Sequence, residues 1–197
     1  MSKISIMTEG TVSERLPRMA VICLSGNHGG MEMDARMLAS RLSDWSEQCI
    51  LIVRRGTWLE MSAKQLGLDC FSVVMPFNFS LSAAYRIRNR LYDERTKVVI
   101  YFGSSEMKTL RFSIPSTVED FLVRHETPKR SSKKDFMHRF AWSKVTKHWA
   151  ISESMGSNVE KVYPVEGKQI FVSYNPQEEK LRDIPQPLPM DGEQIKI

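Results

Sequence analysis

Apolar runs of strand length alternate with segments of helical periodicity along most of the chain. Continuous runs such as residues 49–53 lack polar alternation, which is typical of strands buried on both faces of a parallel sheet. The pattern predicts strands at 19–24, 49–53, 71–75, 97–102, 120–124, 149–151 and 170–172, and helices at 30–45, 58–66, 81–93, 106–112, 133–147 and from 152. The alternation predicts an α/β fold with a doubly wound, mostly parallel Rossmann-like sheet and helices on both faces.

The spacing of apolar positions assigns an inward face to three of these helices. Within helix 30–45, Glu32 is expected to point away from that face. Thr57 and Ser80 are the expected N-caps of two later helices, and either Ser152 or Glu153 opens the last one. The inward sets are Ala35, Leu38, Leu42 and Trp45 in the first helix, Leu81, Ala84, Tyr85, Leu91 and Tyr92 in the third, and Phe136, Met137, Phe140, Ala141 and Val145 in helix 133–147.

Composition shifts divide the chain into three parts. Residues 1–17 are polar and aperiodic, and we expect a loose leader. Residues 18–175 form the predicted Rossmann-like domain. Residues 176–197 are rich in proline and read as a linker, with 193–197 as the start of a strand in a further, missing domain.

Charge and cysteine content narrow the functional class. The formal charge of +5 and a pI near 9.2 suggest a partner with negative charge. No apolar run is long enough to span a bilayer and no secretion signal is present, so we expect a cytoplasmic protein. Cys23, Cys49 and Cys70 lack metal-binding spacing and lie in apolar runs, so they are expected to be buried thiols. No metal site is predicted.

The candidate functional residues lie where predicted strands end. A glycine-rich turn that includes His28, Gly29 and Gly30 follows the first strand and precedes a helix N-terminus. Free N–H groups and the helix dipole at such a position favour an anion, although glycine can also serve the turn geometry alone. Two adjacent glycines also permit positive φ and close approach of a ligand.

Two further strand ends carry polar residues. Gly103, Ser104 and Ser105 follow the fourth strand, and His125 and Glu126 follow the fifth. Parallel strands place these groups at one edge of the sheet, where ligands bind in such folds. His125 is a candidate catalytic residue for proton transfer or for orienting a hydroxyl. Glu126 is the second catalytic candidate, and it could instead accept a hydrogen bond or face solvent.

A basic segment with interleaved aromatic residues follows the fifth strand. Such a segment suits an anionic membrane surface or nucleic acid, and a solvated helix face is the plainer alternative. Its basic residues are Lys129, Arg130, Lys133, Lys134, Arg139, Lys144 and Lys147.

The segments 26–42, 120–155 and 161–176 together resemble the N-terminal domain of retaining GT-B glycosyltransferases of family 4. Asn175 matches an asparagine of that family's approach to the interdomain linker, while Pro176 replaces its usual glycine. The resemblance implies an acceptor-side domain, with the nucleotide-sugar bound mainly by an absent C-terminal domain.

The resemblance also implies roles for individual residues. Gly29 and Gly30 would meet the donor diphosphate with His28 nearby, and His125 would orient hydroxyls beside the reacting sugar. The residues 103–105 would lie on the acceptor side. No metal and no cofactor besides the nucleotide-sugar co-substrate is implied, and the basic segment would rest on the inner face of the plasma membrane near a lipid-linked or polysaccharide acceptor. Alone, the chain is expected to transfer little or nothing.

Two other classes remain open from the residues themselves. An NADP-dependent oxidoreductase shares the fold type, and Arg54 and Arg55 follow the second strand, where an arginine can bind the 2′-phosphate. The glycine turn, however, lacks the GxGxxG spacing. A non-enzymatic module that binds membrane or, less favoured, nucleic acid is the third class.

Overall fold

The computed structural model describes residues 15–165 and 169–173, in which seven strands alternate with six helices. The bounds agree with the predicted ones to within two residues, apart from the fifth helix. The strands are β1 (Met19–Cys23), β2 (Cys49–Arg54), β3 (Cys70–Val73), β4 (Val98–Phe102), β5 (Asp120–His125), β6 (Lys147–Ala150) and β7 (Ile170–Val172). The helices are α1 (Gly30–Trp45), α2 (Trp58–Gln65), α3 (Leu81–Asp93), α4 (Met107–Ser113), α5 (Phe136–Trp142) and α6 (Glu153–Val162).

All seven strands lie in one parallel sheet in the order β3-β2-β1-β4-β5-β6-β7. The chain moves outward from β1 to β3, returns to place β4 on the other side of β1, and continues to β7. The order therefore reverses between β1 and β4, which opens a crevice at their carboxyl ends. The predicted doubly wound fold is confirmed.

Two apolar cores cover the faces of the sheet. On one face, α1 and α2 pack on alternate residues of β1 and β2, including Val21, Leu51 and Val53. On the other face, α3, α4, α5 and α6 pack on the residues between them, such as Ile22 and Ile52. Burial of both faces explains why these strands show no polar alternation.

Helix starts follow the predicted capping chemistry. The side chains of Thr57, Ser80 and Ser152 accept hydrogen bonds from the backbone N–H three residues on. Each bond satisfies a donor that the first helical turn leaves without an intrahelical partner. The predicted caps Thr57 and Ser80 are confirmed, and of the two residues expected to open the last helix Ser152 is the cap while Glu153 is the first helical residue.

The predicted helix 133–147 is wrong in its bounds, because the helix is only α5. The Asp135 carboxylate caps the N–H of His138 and begins the helix there, while the Lys133 N–H is held by Val162 O. The helix ends at Trp142, and β6 already begins at Lys147. Local periodicity did not reveal this early exit into a strand.

Several predicted inward positions are also wrong. Phe136 is 80% exposed and Met137 and Phe140 are exposed as well, because the short helix buries only Ala141 and Trp142. Other predicted inward residues that are exposed are Trp45, Leu81, Tyr85 and Tyr92. Conversely Glu32, expected to face outward, is 3% exposed.

Two of the three cysteines are buried, and the described end of the leader contacts the end of α1. Cys23 and Cys49 are buried, which raises the pKa of each to about 12, and Cys70 is half-buried. Leu16, at the described end of the leader, forms a parallel bridge with Ser46. The rest of the leader, Asn175 and the linker 176–197 lie outside the described residues.

Candidate functional site

A cleft of about 660 Å³ opens at the carboxyl ends of β1, β2 and β4 and continues past the end of β5. It lies at the switch point of the sheet, where the strand ends were expected to converge. Its walls are mostly polar. They comprise Ser25, Gly26, Asn27, Met31, Arg54, Arg55, Gly56, Thr57, Asn78, Gly103, Ser104, Ser105, Glu106, Thr127 and Lys129.

The glycine turn contributes Gly26 and Asn27 to the cleft wall, while Gly29 and Gly30 begin α1 beside it. Gly29 has φ −162° and Gly30 is helical, so neither uses the positive φ that adjacent glycines permit. Gly29 makes no side-chain cap, which leaves N–H groups of the first turn without a side-chain acceptor. His28 stacks on Trp58 with a centroid distance of 3.9 Å, which ties the turn to α2.

A carboxylate lies beneath this helix N-terminus. The buried Glu32 places Oε2 3.3 Å from the position a Cβ would take on Gly29. Its negative charge interacts favourably with the dipole of α1, as an anionic ligand would. The backbone of the turn therefore fits closely against Glu32 at Gly29, whereas at Gly30 the Cβ position has no atom within 4 Å and the turn is open.

At the end of β4, a buried phenol and a carboxylate shape the second wall. The Tyr101 hydroxyl donates to Glu106 Oε2 over 2.5 Å, and Glu106 lines the cleft. Burial and the Glu106 carboxylate raise the pKa of Tyr101 well above its usual value. Gly103 has φ +134°, and a Cβ there would lie 2.7 Å from the Tyr101 hydroxyl oxygen, so only glycine fits.

Sequence reasoning missed Asn78, Thr127 and, above all, Glu106 as residues of the cleft wall. Glu106 directly follows residues 103–105, so its place in that strand-end loop was the available signal. Its partner Tyr101 lies within the preceding strand, and nothing in the sequence around Tyr101 indicates the hydrogen bond.

His125 and Glu126 leave β5 on opposite sides of the sheet. Alternation along the strand directs Arg124 and Glu126 toward α1 and His125 toward α5 and α6. His125 is 4% exposed and meets the cleft region through a cavity of about 50 Å³ that Gly103, Ser104 and Tyr163 also line. Glu126 lines the same cavity, so the two residues approach one space from opposite faces of the sheet.

His125 lies in an aromatic cluster. Its Nε2 is 2.9 Å from His148 Nδ1, and Trp142 and Tyr163 pack against its ring. Burial, followed by the proximity of His148 and Lys133, lowers the pKa of His125 to about 3. The imidazole is therefore neutral near pH 7, suited to hydrogen bonding with a hydroxyl and not to delivering a proton.

Glu126 belongs to a charge network around Arg124. The Arg124 guanidinium bonds Glu126 Oε1 at 2.7 Å and Asp34 Oδ2 at 3.0 Å, and it lies over the Trp149 ring. Burial raises the pKa of Glu126, Arg124 partly offsets this, and the nearby Asp34 raises it further. The network fixes α1 against β5.

The seven basic residues of the predicted surface do not share one face. Lys129 lines the cleft, and Arg130 is exposed. Burial and Lys129 lower the pKa of Lys133, whose Nζ lies 5.7 Å from the centre of the Tyr163 ring. The remaining contacts are Lys134 to Glu160 O, Arg139 to Lys134 O, Lys144 to Ile114 O and Lys147 to Asp120.

Two kinds of feature are absent from the described part of the chain. Nowhere in 15–165 or 169–173 do three His, Cys, Asp or Glu side chains group as ligands for a metal ion. None of the helices in these ranges has the length and apolar character needed to cross a bilayer.

The fold identifies the class of domain to which the described residues belong. It is an α/β Rossmann-like fold with a seven-stranded parallel sheet, and it matches the domains of GT-B glycosyltransferases. No protein-family model matches the chain, and no curated protein sequence matches it.

Among solved structures, HepE of Anabaena in complex with UDP and glucose is similar with a TM-score of 0.66 at 12% identity, over 83% of this chain and 46% of HepE. A glycosyltransferase of Rickettsia africae has a TM-score of 0.58 at 18% identity, over 82% and 43%. The lipopolysaccharide outer core galactosyltransferase WaaB has a TM-score of 0.57 at 14% identity, over 82% and 46%. The chain thus spans less than half the length of these structures.

Proposed function

We propose that the chain is the acceptor-side domain of a glycosyltransferase that moves a sugar from a nucleotide-sugar to a glycan or glycolipid. One observation carries the proposal. A polar cleft lies at the switch point of a fold shared with several glycosyltransferases, lined by strand-end groups. The sequence resemblance to family 4 is what supports the proposed retention of configuration, metal independence and donor-binding second domain.

The glycine turn is assigned to the donor. First-turn N–H groups of α1 and its dipole favour the diphosphate of a nucleotide-sugar that a second domain brings to the cleft. Gly29 and Gly30 supply this backbone, and the His28 ring, stacked on Trp58, limits motion of the turn. Because Glu32 already neutralises part of the dipole, we expect this half alone to bind diphosphate weakly.

We assign the loop after β4, residues 103–106, to binding of the acceptor. Ser104 and Ser105 offer hydroxyls, and Glu106 offers a carboxylate whose Oε1 has no donor among the described residues. Tyr101 holds the other oxygen, so Glu106 keeps one orientation toward the cleft. An acceptor hydroxyl that donates to Glu106 would be positioned and made more nucleophilic.

His125 is assigned a role in orienting hydroxyls. The small cavity behind Gly103 and Ser104 brings its ring near the acceptor loop. Being neutral, it can exchange hydrogen bonds with a sugar hydroxyl without a charge penalty. Glu126, on the other face of β5, is better suited to holding Arg124 than to direct chemistry.

Contact with a membrane is assigned to α5 and the loop before it. In place of a basic stripe, this surface carries exposed aromatic and apolar side chains, namely Phe136, Met137 and Phe140, beside Arg130 and Arg139. Apolar side chains that insert between headgroups, next to cations, suit an anionic interface. The proposed location is therefore the inner face of the membrane, near a lipid-linked acceptor.

Ligand preference tests the proposal. UDP-glucose at about ten times its Kd should raise Tm by about 3–6 °C, and NADPH should not. Gly30→Val, which fills the open space at the helix N-terminus assigned to the diphosphate, should reduce the shift, whereas Ser157→Val, on α6, should not. Stabilisation by NADPH without any by a panel of nucleotide-sugars would reject the glycosyltransferase and favour the oxidoreductase, which the strand order and Arg54 also accommodate.

A further inference from the structure

We propose that the β2 end of the cleft is a subsite for an anionic group, a phosphate or a carboxylate, carried by the acceptor. Arg54 and Arg55 supply the positive charge, and the backbone at Gly26 and Gly56 lines the same wall. The inference rests on the proposed function, because it specifies the acceptor class of the same cleft.

The turn that presents the two arginines is held in place. The Thr57 hydroxyl donates to Arg54 O over 2.8 Å, and the Arg55 N–H donates to Val73 O over 2.8 Å. Gly56 has φ +77°, and its N–H donates to Glu60 Oε2 over 2.6 Å. Both ends of the turn are therefore fixed before any ligand binds, which lowers the entropic cost of binding.

Glu60 carries the carboxylate nearest to the two arginines along the chain, and it already has hydrogen-bond partners of its own. Glu60 is buried, accepts from Lys64 Nζ at 2.6 Å as well as from Gly56, and these bonds lower its pKa to about 2. It therefore remains ionised but has both oxygens engaged. It does not neutralise the arginines.

Arg54 is half-buried without an acidic partner. Its Nη1 lies 3.5 Å from the place a Cβ would take on Gly26, so the guanidinium packs over the glycine turn. Within residues 15–165 and 169–173, neither Arg54 nor Arg55 forms an ion pair, whereas the partly buried Arg90 and the buried Arg124 each pair with two carboxylates. A guanidinium withdrawn from water favours an anion that can accept its paired N–H groups.

The lining of the cleft carries a net positive charge. Three cations line it, Arg54, Arg55 and Lys129, against one carboxylate, Glu106, among the lining residues that the structure describes. Glu106 accepts a hydrogen bond from Tyr101 and lies at the β4 end. The excess positive charge is therefore concentrated toward β2 and the loop after β5.

Strand spacing separates this subsite from the reacting centre. The Arg54 guanidinium reaches over Gly26 at the end of β1, and β1 and β5 are two strand positions apart, which is about 10 Å at the usual spacing of parallel strands. The donor diphosphate is bonded directly to the reacting sugar carbon, so an anion bound at Arg54 while transfer occurs beside His125 belongs to another molecule. We therefore assign it to an acceptor long enough to span the cleft.

The test follows backbone amide signals of the ¹⁵N-labelled full chain by NMR. Inorganic phosphate is titrated at constant ionic strength against chloride, and sodium glucuronate is titrated in a parallel arm. Saturable shifts are expected at Gly26 and Gly56, and Arg54→Gln should weaken phosphate binding about tenfold or more. Arg88→Gln, which removes an exposed arginine of α3, is the matched control and should bind as the wild type does. The spectra also report whether each variant is folded.

Each result decides between assignments. Binding of phosphate, glucuronate or both at Gly26 and Gly56, lost in Arg54→Gln, supports the subsite and identifies the group it takes. Absence of saturable shifts, or equal weakening by Arg88→Gln, overturns it. Displacement of phosphate from Gly26 and Gly56 by UDP-glucose also overturns it, because the anion would then be the donor's, while the proposed function would stand. Displacement by NADPH instead would reject both.

Discussion

His125 Nε2 and His148 Nδ1 lie 2.9 Å apart on neighbouring strands, and both rings are buried. Trp142 stacks on both imidazoles, and Tyr163 packs against His125. Protonation of either ring would place a charge inside this aromatic cluster. Burial accordingly lowers the pKa of His125 to about 3 and that of His148 to about 4.

The folded protein should lose stability as the pH falls below about 6.5. Above that pH both rings are neutral in the folded and unfolded states. Below it the unfolded chain binds protons that the folded chain excludes, so the unfolding free energy decreases until the pH approaches the folded pKa values. The loss between pH 7.5 and pH 5 should be on the order of 2 kcal/mol or more, measured by urea denaturation.

Variants distinguish protonation of the two buried histidines from other effects of acid on the unfolding free energy. His148→Gln should lower stability at pH 7.5 but reduce the change between the two pH values. Ser157→Val, which changes an exposed residue of α6 that does not titrate, should leave that change as it is. Equal pH dependence in all three proteins would contradict the role assigned to the buried pair.

Gly103→Ala should destabilise the protein and disturb the loop 103–106 after β4. The substitution forces positive φ on a residue with a Cβ and places that carbon 2.7 Å from the Tyr101 hydroxyl oxygen. We expect a loss of about 2–4 kcal/mol in unfolding free energy. Gly30→Ala is the control, because open space surrounds its Cβ position and alanine favours the helix. A Gly103→Ala protein as stable as Gly30→Ala would refute this steric account.

Arg124→Met should destabilise the protein by about 3–5 kcal/mol at pH 7, because Asp34 and Glu126 would lose the cation they share. The pKa of Glu126, already raised by burial, should rise further without Arg124. Since a carboxyl with a raised folded pKa contributes stability at low pH and loses it as the pH rises, the defect should shrink on acidification. Lys97→Met, at the exposed pair with Glu119, should have little effect. A defect that does not depend on pH would indicate lost packing alone.

Phe136→Ser should weaken binding to vesicles of phosphatidylglycerol and phosphatidylcholine. Its ring is 80% exposed on α5 and is expected to enter the interface, where burial of an aromatic side chain stabilises by about 1.5–3 kcal/mol. Sedimentation with the vesicles measures the bound fraction. Trp45→Ser, which removes an exposed aromatic residue from α1, should bind as the wild type does. Binding that is equal with and without anionic lipid would reject the membrane surface.

Much of the fold could be predicted because its signals are local. Uninterrupted apolar strands such as β2, and caps such as Ser80, depend on neighbours along the chain. The prediction made helix α5 too long, because the helix ends where the chain enters β6. The pairing of β6 with β5 is a tertiary contact that leaves no local pattern in the sequence. Glu32 was placed outward because its burial beneath Gly29 depends on how α1 meets the sheet.

The site was predictable in position but not in orientation. Parallel topology brings Gly26, Ser104 and the end of β5 to one edge, as expected. Strand alternation, however, directs His125 and Glu126 to opposite faces of the sheet, although both line the same small cavity. The contact of Glu106 with Tyr101 joins a loop to a buried strand residue. Such relations depend on side-chain direction, which strand position alone leaves undetermined.

The most direct test of the central claim is an NMR titration of the ¹⁵N-labelled chain with UDP-glucose and, separately, with NADPH. If the strand-end cleft is the sugar-transfer site of a glycosyltransferase, UDP-glucose should shift the amide signals of Gly29, Gly30 and Gly103, and His125→Gln should alter the shifts at Gly103. The amide of Gly67, at the opposite end of α2, should not move. Shifts of the cleft glycines with NADPH and none with nucleotide-sugars would contradict the account.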